Sequence, residues 1–284
     1  MKPAPVEYVR PESLELALEV LAAHGDEAKP LAGGQSLTPM LNLRLARPEV
    51  LVDVNRLPLA GVELDERSLT LGALVRHRTV AEEPRIAAAA PLLARAAAHV
   101  GHPAIRNRGT LGGSLVHADP TAELAIAALA LEATVEVASA RGRRTIAAGE
   151  LFAGPYTTTV APEELVVAIR VSRAAAGERC GFAEIAQREG DFAFAAAACR
   201  LTVADGRVTA ASVALGGPLA TPVRLEQVER ALVGAAADGA LAEAAAEACP
   251  QLDARADVHA SGEFRAELAR VMIARAVAQA LEES

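Results

Sequence analysis

Two Gly-Gly steps constrain this chain more than any other feature: Gly33-Gly34 within Ala32-Gly33-Gly34-Gln35-Ser36, and Gly112-Gly113 within Thr110-Leu111-Gly112-Gly113-Ser114. Each has a hydroxyl residue close by and an apolar helical pattern behind it. Successive amides unhindered by a Cβ form an anion nest, and a helix N-terminus adds roughly half a positive charge. One nest suits one phosphate, and two that meet in space suit a diphosphate. Taken singly, each step also reads as a tight turn.

Around these loops the periodicity predicts mixed, not strictly alternating, helices and strands. Leu14, Ala17, Leu18 and Leu21 mark a helix stopped near Gly25. Pro30 to Ala32 reads as a short strand running into the first glycine turn, and Ser36 opens a helix through Met40, Leu41 and Leu43. Val50 to Val54 is β-rich, Gly61 to Val75 reads as a hairpin about Asp65–Ser68, and Pro84 to Val100 as one helix ended by Gly101 and Pro103. Ile105 to Ser114 shows no helical period, and Asp119-Pro120 opens a helix ending near Leu131. Thr134–Ala138 and Arg143–Ala147 form a second hairpin, followed by a strand over Leu165–Val171 and a linker over Ala174–Glu178. Beyond it come strands at Phe182–Ile185, Ala193–Val203 and Val208–Leu215, the last two joined at Asp205-Gly206, and then helices from Thr221-Pro222, over Leu241–Ala248, and through Phe264, Leu268, Val271 and Met272. The expected class is α+β, and the absence of Gly-x-Gly-x-x-Gly argues against a doubly wound nucleotide fold.

With 284 residues the chain predicts about two domains and a core that needs no staples. Aromatic residues make up only 2 %, so stacking is a poor way for it to grip a base. A net charge of −8 disfavours a nucleic-acid groove. Cys180, Cys199 and Cys249 are too few and too scattered to ligate an iron–sulfur cluster alone or to frame disulfides. Met1 to Ser13 shows no secretory or lipid signal, and the apolar run Leu124–Leu131 is too short for a membrane span, so a cytoplasmic protein is expected.

A P-loop is excluded because no Gly-x-x-x-x-Gly-Lys-Ser/Thr occurs. His99, His102 and His117 lie near Asp119 and Glu123, yet without His-Glu-x-x-His or a cysteine partner they make a weak metal site. Asp119 and Glu123, four residues apart at a predicted helix start, read either as capping groups or as acceptors for ligand hydroxyls. Ser36 and Ser114 stand in no Gly-x-Ser-x-Gly elbow, so phosphate contact or capping suits them better than nucleophilic attack.

The two glycine segments, extended by Arg106-Asn107-Arg108-Gly109 and by His117-Ala118-Asp119-Pro120-Thr121-Ala122-Glu123, resemble the FAD-binding medium subunit of molybdenum hydroxylases, the carbon monoxide dehydrogenase and xanthine dehydrogenase family. The resemblance continues through Phe152–Thr159, Arg188–Ala193 and Asp257–Arg265 and spans nearly the whole chain. It implies a vanillyl-alcohol-oxidase-type FAD-binding domain over residues 1–176, in subdomains of about 1–57 and 58–176. Residues 177–284 would then form a C-terminal domain, a three-stranded antiparallel sheet with helices packed beside the flavin.

By that resemblance Leu31, Ala32, Gly33, Gly34, Gln35 and Ser36 form one wall of the FAD diphosphate site, and Thr110, Leu111, Gly112, Gly113 and Ser114 the other. By position Glu123 matches the family's carboxylate that contacts the cofactor, with Asp119 kept beside it as a cofactor-binding candidate from the residue reading above, and Leu165 or Val166 matches an aliphatic wall near the flavin ring. Glu184 stands where the xanthine dehydrogenase branch would carry lysine, which reverses a charge that bears on reactivity with NAD or oxygen. The implied function is electron transfer: a large molybdenum-cofactor subunit oxidises substrate, a small iron–sulfur subunit relays electrons, and this chain's FAD passes them to an external acceptor. Two rivals remain at this level. One is a self-contained flavin oxidoreductase using Tyr156, His102 or Glu184; the other is a non-catalytic nucleotide-binding module.

Overall fold

The computed structural model describes residues 2–282. A three-stranded parallel sheet begins the chain in the order Glu7–Val9, Val50–Asp53, Ala28–Leu31. Its central strand is buried throughout. The helix Leu14–His24 starts where Ser13 Oγ accepts from the Leu16 amide, covers the sheet with Ala17, Leu18 and Leu21, and ends at Gly25 with φ +51°.

A five-stranded antiparallel sheet follows, ordered Val62–Leu64, Ser68–Gly72, Leu165–Ser172, Thr134–Ser139, Gly142–Ala147. Both predicted hairpins are present. The late strand Leu165–Ser172 slots between them, which no local pattern announces.

The C-terminal sheet runs Glu178–Ala186, Ala193–Ala204, Arg207–Gly216, Val223–Arg224. It has four strands where three were expected. Val223 and Arg224 pair with Leu215 and Ala214, and the helix expected from Thr221-Pro222 starts only at Glu226. Ahead of that helix, Arg224 is held by Glu229 and Glu132, which favours a short extended edge there.

Alternation along Ala193–Ala204 explains how this sheet is covered on both sides. Ala196 and Ala198 join one core with Leu92, Leu93 and Ile126, whereas Ala195, Ala197 and Leu201 join another with Met272, Ile273 and Val277 of the long helix Gly262–Glu282. Small residues let the layers approach closely. A Cβ on Gly181 would lie 1.9 Å from the Ala276 carbonyl oxygen, and one on Gly216 would lie 2.4 Å from Ile126 Cδ1.

Three further helix boundaries depart from expectation. Pro84–Val100 divides into Pro84–Ala89 and Pro91–His99, because Ala90 precedes a proline and takes an extended φ of −146°. The helix expected from Asp119-Pro120 starts at Glu123, since Asp119 is occupied by a turn. Gly112-Gly113 lies inside the first turn of a helix, Leu111–His117, and not ahead of it.

Candidate functional site

The first glycine segment leaves the strand Ala28–Leu31 and enters the helix Leu37–Asn42. Gly34 sits at φ +71°, and Gln35 Nε2 donates to the Gly33 carbonyl at 3.0 Å. Ser36, at the N-cap, makes no capping bond with its side chain. Among the described residues the amides of Gly33, Gly34, Gln35 and Ser36 have no acceptor. Four successive amides are thus open at the start of a helix, which is the arrangement an anion requires.

The second segment is built differently. The amides of Leu111 and Gly112 donate to Val75 and Ala73, each at 2.9 Å, and those of Gly113 and Ser114 to Thr110 Oγ1 and its carbonyl at 3.2 and 3.0 Å. The expectation of two amide-lined cups therefore needs correction: one is open and the other is closed by its own fold. Gly112 serves close packing instead, because a Cβ there would lie 2.6 Å from Ala73 Cβ.

The segments meet, backbone to backbone. A Cβ on Gly33 would lie 2.2 Å from the Arg108 carbonyl oxygen and 2.8 Å from Gly109 Cα. Side chains that sequence reasoning missed hold this contact. Asn55 Nδ2 donates to the carbonyls of Leu31 and Ala32 at 3.1 and 2.8 Å and to Asp53 Oδ1 at 2.7 Å. Arg76 donates one guanidinium nitrogen to Asn55 Oδ1 at 2.9 Å and another to the Arg108 carbonyl. Tyr8 donates its hydroxyl to Asp53 at the far end. The one available signal was a polar pair, Asp53 and Asn55, directly after a buried strand. Asn55→Ala should lower stability by about 2 kcal/mol by orphaning these groups, read as a shifted denaturation midpoint at unchanged slope.

His77 fixes the second segment from below. Its Nε2 lies 2.8 Å from the Thr110 carbonyl, which can only accept, so Nε2 carries the hydrogen and the buried Nδ1 is left without a donor. Burial pushes its pKa down to about 4. Arg76, Arg106 and Arg108 surround this region with no carboxylate within 4.0 Å among the described residues, and the charges of Arg76 and Arg106 reinforce the neutrality of His77. Positive field and open amides coincide.

The remaining expected residues disperse. Asp119 is buried, and its Oδ1 accepts from the amide and hydroxyl of Thr121 at 2.8 Å, the turn-forming role. Glu123 opens the helix Glu123–Ala130, where burial and then the charge of Asp119 push its carboxyl up to about 7. Leu165 is buried in the core of the parallel sheet and Val166 in the larger core next to it. Tyr156 rests against the His117 ring at 5.2 Å, His102 lies against Gly190, and Glu184 lies near His99. These three catalytic candidates have separate neighbours.

Amides without acceptors beside Arg76 and Arg108, on an α+β chain without a P-loop, suit a protein that holds a phosphate-bearing cofactor. Residues 4–173 match the FAD binding domain in molybdopterin dehydrogenase, and residues 181–280 the CO dehydrogenase flavoprotein C-terminal domain. The alpha subunit of the 6-hydroxypseudooxynicotine dehydrogenase complex of Paenarthrobacter nicotinovorans is 40 % identical over 99 % of this chain and 96 % of its own length. Among solved structures, quinoline 2-oxidoreductase from Pseudomonas putida 86 superposes with a TM-score of 0.94 at 36 % identity, covering 99 % of both chains. Carbon monoxide dehydrogenase from Hydrogenophaga pseudoflava gives 0.94 at 35 % identity, covering 99 % of this chain and 98 % of that one. The chain belongs to the FAD-binding medium subunits of molybdenum hydroxylase-type dehydrogenases.

FAD is its cofactor. The residues present fit the group: Gly33 to Ser36 supply open donors for a diphosphate, and Gly33 has no room for a side chain on the face turned to Arg108.

Proposed function

We propose that this chain takes electrons from the iron–sulfur clusters of a small partner subunit, fed by a molybdenum centre on a large partner, and passes them through FAD to an external acceptor. The observation that carries this reading is the loop Gly33–Ser36, its amides open and its backbone locked against Arg108 and Gly109. Leu31 to Ser36 hold the diphosphate through backbone amides. Thr110 to Ser114 position that loop and add a second helix N-terminus, while Leu165 and Val166 stiffen the floor between the two N-terminal cores. Bound FAD supplies the redox chemistry, and the protein's work is to orient and tune it.

The cysteines support a relay on other polypeptides. All three are buried, and burial pushes the Cys180 thiol up to about 11, which opposes the thiolate a cluster needs. Buried thiols also suit a reducing compartment such as the cytoplasm. The named relatives are subunits of dehydrogenase complexes, which supports partners of the same kind here.

The test is purification of the native assembly, with mass identification of its polypeptides and assay for molybdenum and iron, followed by exposure to carbon monoxide, purines, aromatic acids and aldehydes. The expected result is two co-purifying subunits, both metals, and flavin bleaching only in the assembled complex. Bleaching of the isolated chain by one of these compounds would instead establish a self-contained oxidoreductase. A colourless chain that takes up no FAD would leave a nucleotide-binding module.

A further inference from the structure

Three successive carbonyls of the first glycine segment are each held by a different donor. The Ala32 carbonyl accepts from Asn55 Nδ2 at 2.8 Å, that of Gly33 from Gln35 Nε2 at 3.0 Å, and that of Gly34 from the Thr38 amide at 3.1 Å. In a planar trans peptide the carbonyl of one residue and the N–H of the next point in opposite directions. Holding these carbonyls therefore turns the amides of Gly33, Gly34 and Gln35 away from the three donors, and these amides have no acceptor among the described residues. Gln35 and Thr38 belong to the loop and to the helix Leu37–Asn42 that follows it. Asn55 reaches in from beyond the strand Val50–Asp53.

An asparagine amide turned end for end would set its oxygen against the Leu31 and Ala32 carbonyls, acceptor against acceptor. Two groups prevent this. Asp53 Oδ1 accepts from Asn55 Nδ2 at 2.7 Å, and Arg76 Nη2 donates to Asn55 Oδ1 at 2.9 Å. Arg76 in turn has a fixed base in the second segment. The Leu111 amide donates to the Val75 carbonyl at 2.9 Å, the His77 amide donates to the Gly109 carbonyl at 3.0 Å, and Arg76 itself pairs with Thr110 in an antiparallel bridge. Its Nη1 donates to the Arg108 carbonyl, the group against which Gly33 is packed. Both acceptors are neutral, so the guanidinium is spent on holding two segments together.

We propose that Arg76 is a positioning residue for the cofactor: its forked guanidinium fixes Asn55, and through the Ala32 carbonyl it aims the Gly33 amide at the diphosphate. The inference rests on the FAD-binding reading above and adds the residue that sets the direction of its anion loop. The fork matters more than the charge. Nη1 and Nη2 reach the Arg108 carbonyl and Asn55 at once from one rigid plane, whereas lysine would keep the charge on a single nitrogen and lose one of the two contacts.

The experiment uses the full chain, stripped of flavin and titrated with FAD, as wild type, Arg76→Lys, Asn55→Ala, the double variant, and Arg78→Gln as control. Arg78 is exposed and pairs with Glu82, so its replacement removes a nearby positive charge without touching the brace. The FAD dissociation constant should rise about tenfold in Arg76→Lys and stay within about twofold in Arg78→Gln. Phosphorus NMR of the bound cofactor separates aiming from a general loss of stability: the diphosphate resonances should move in Arg76→Lys and Asn55→Ala and keep their wild-type positions in Arg78→Gln. Because Arg76 acts through Asn55, Arg76→Lys should add little to Asn55→Ala. Wild-type affinity and phosphorus positions in Arg76→Lys, or a full second loss in the double variant, overturn the relay and leave the FAD reading standing. Should Arg76→Lys not fold, Asn55→Ala decides, and unchanged affinity and resonances there overturn the relay as well. A wild-type chain that takes up no FAD overturns both.

Discussion

Gly33→Val should abolish FAD retention and lower the stability of the chain by about 3 kcal/mol or more. The added Cβ would stand 2.2 Å from the Arg108 carbonyl oxygen and 2.8 Å from Gly109 Cα, and both obstacles are backbone. Neither can swing aside as a side-chain tip would. Arg108 is pinned by the Arg76 guanidinium, which is itself tied to Asn55. Relief therefore means parting the two segments and breaking that chain of bonds. Overpacking alone costs about 1–3 kcal/mol, and orphaned polar groups add to it. Flavin absorbance after gel filtration and the denaturant midpoint measure the two effects. Gly149→Ala is the control, since a Cβ there meets nothing within 4 Å. Retention of flavin at wild-type affinity by Gly33→Val would show that the contact between the segments is dispensable.

The second large effect is a pH-dependent gain in stability on replacing Glu184 by glutamine. Burial first, then the charge of Glu123, pushes Glu184 up to about 8, from an ordinary value near 4.5. Below 4.5 both folded and unfolded chains hold the proton, and its burial is free of penalty. Between 4.5 and 8 the folded chain binds more protons than the unfolded one, so stability falls as pH rises. At about 1.4 kcal/mol per pH unit the loss reaches about 4 kcal/mol by pH 8 and then levels off. His77 acts with the opposite sign. Its folded value near 4 lies below the ordinary 6.5, so stability grows as pH rises through that window. Denaturation of both proteins from pH 4 to 9.5 should show Glu184→Gln pulling ahead of wild type from pH 4.5 onward, with the gap constant above 8. A gap independent of pH would mean that Glu184 is ionised in the fold.

Local chemistry made much of this architecture legible. The Leu14–Leu21 spacing, the hairpin turns at Asp65–Ser68 and Asp205-Gly206, and alternation along the strands all act within a few residues, and the elements they predict are present. Proline at 91 is equally local, yet an unbroken Ala/Leu pattern masked the break at Ala90. Pairings across long sequence distance were invisible: nothing in Leu165–Ser172 says that it separates two hairpins. The candidate site divides along the same line. Gly33 and Gly34 lie in an open loop as their sequence suggests, but whether Gly112 keeps a free amide depends on Ala73, and that neighbour is a matter of tertiary structure. Asn55, Arg76 and His77 escaped notice because each acts on a carbonyl of another segment, and a carbonyl leaves no trace in residue identity.

Both glycine segments, with the Asn55–Arg76 brace between them, fall within the first 114 residues, whereas Glu184 and the sheet that carries it follow after residue 177. The two halves nevertheless share a core: Phe182, Ala196 and Ala198 of that sheet pack with Leu92, Leu93, Leu115 and Ile126, so a chain stopped near residue 180 would lack part of the packing behind the helix that carries its second glycine pair.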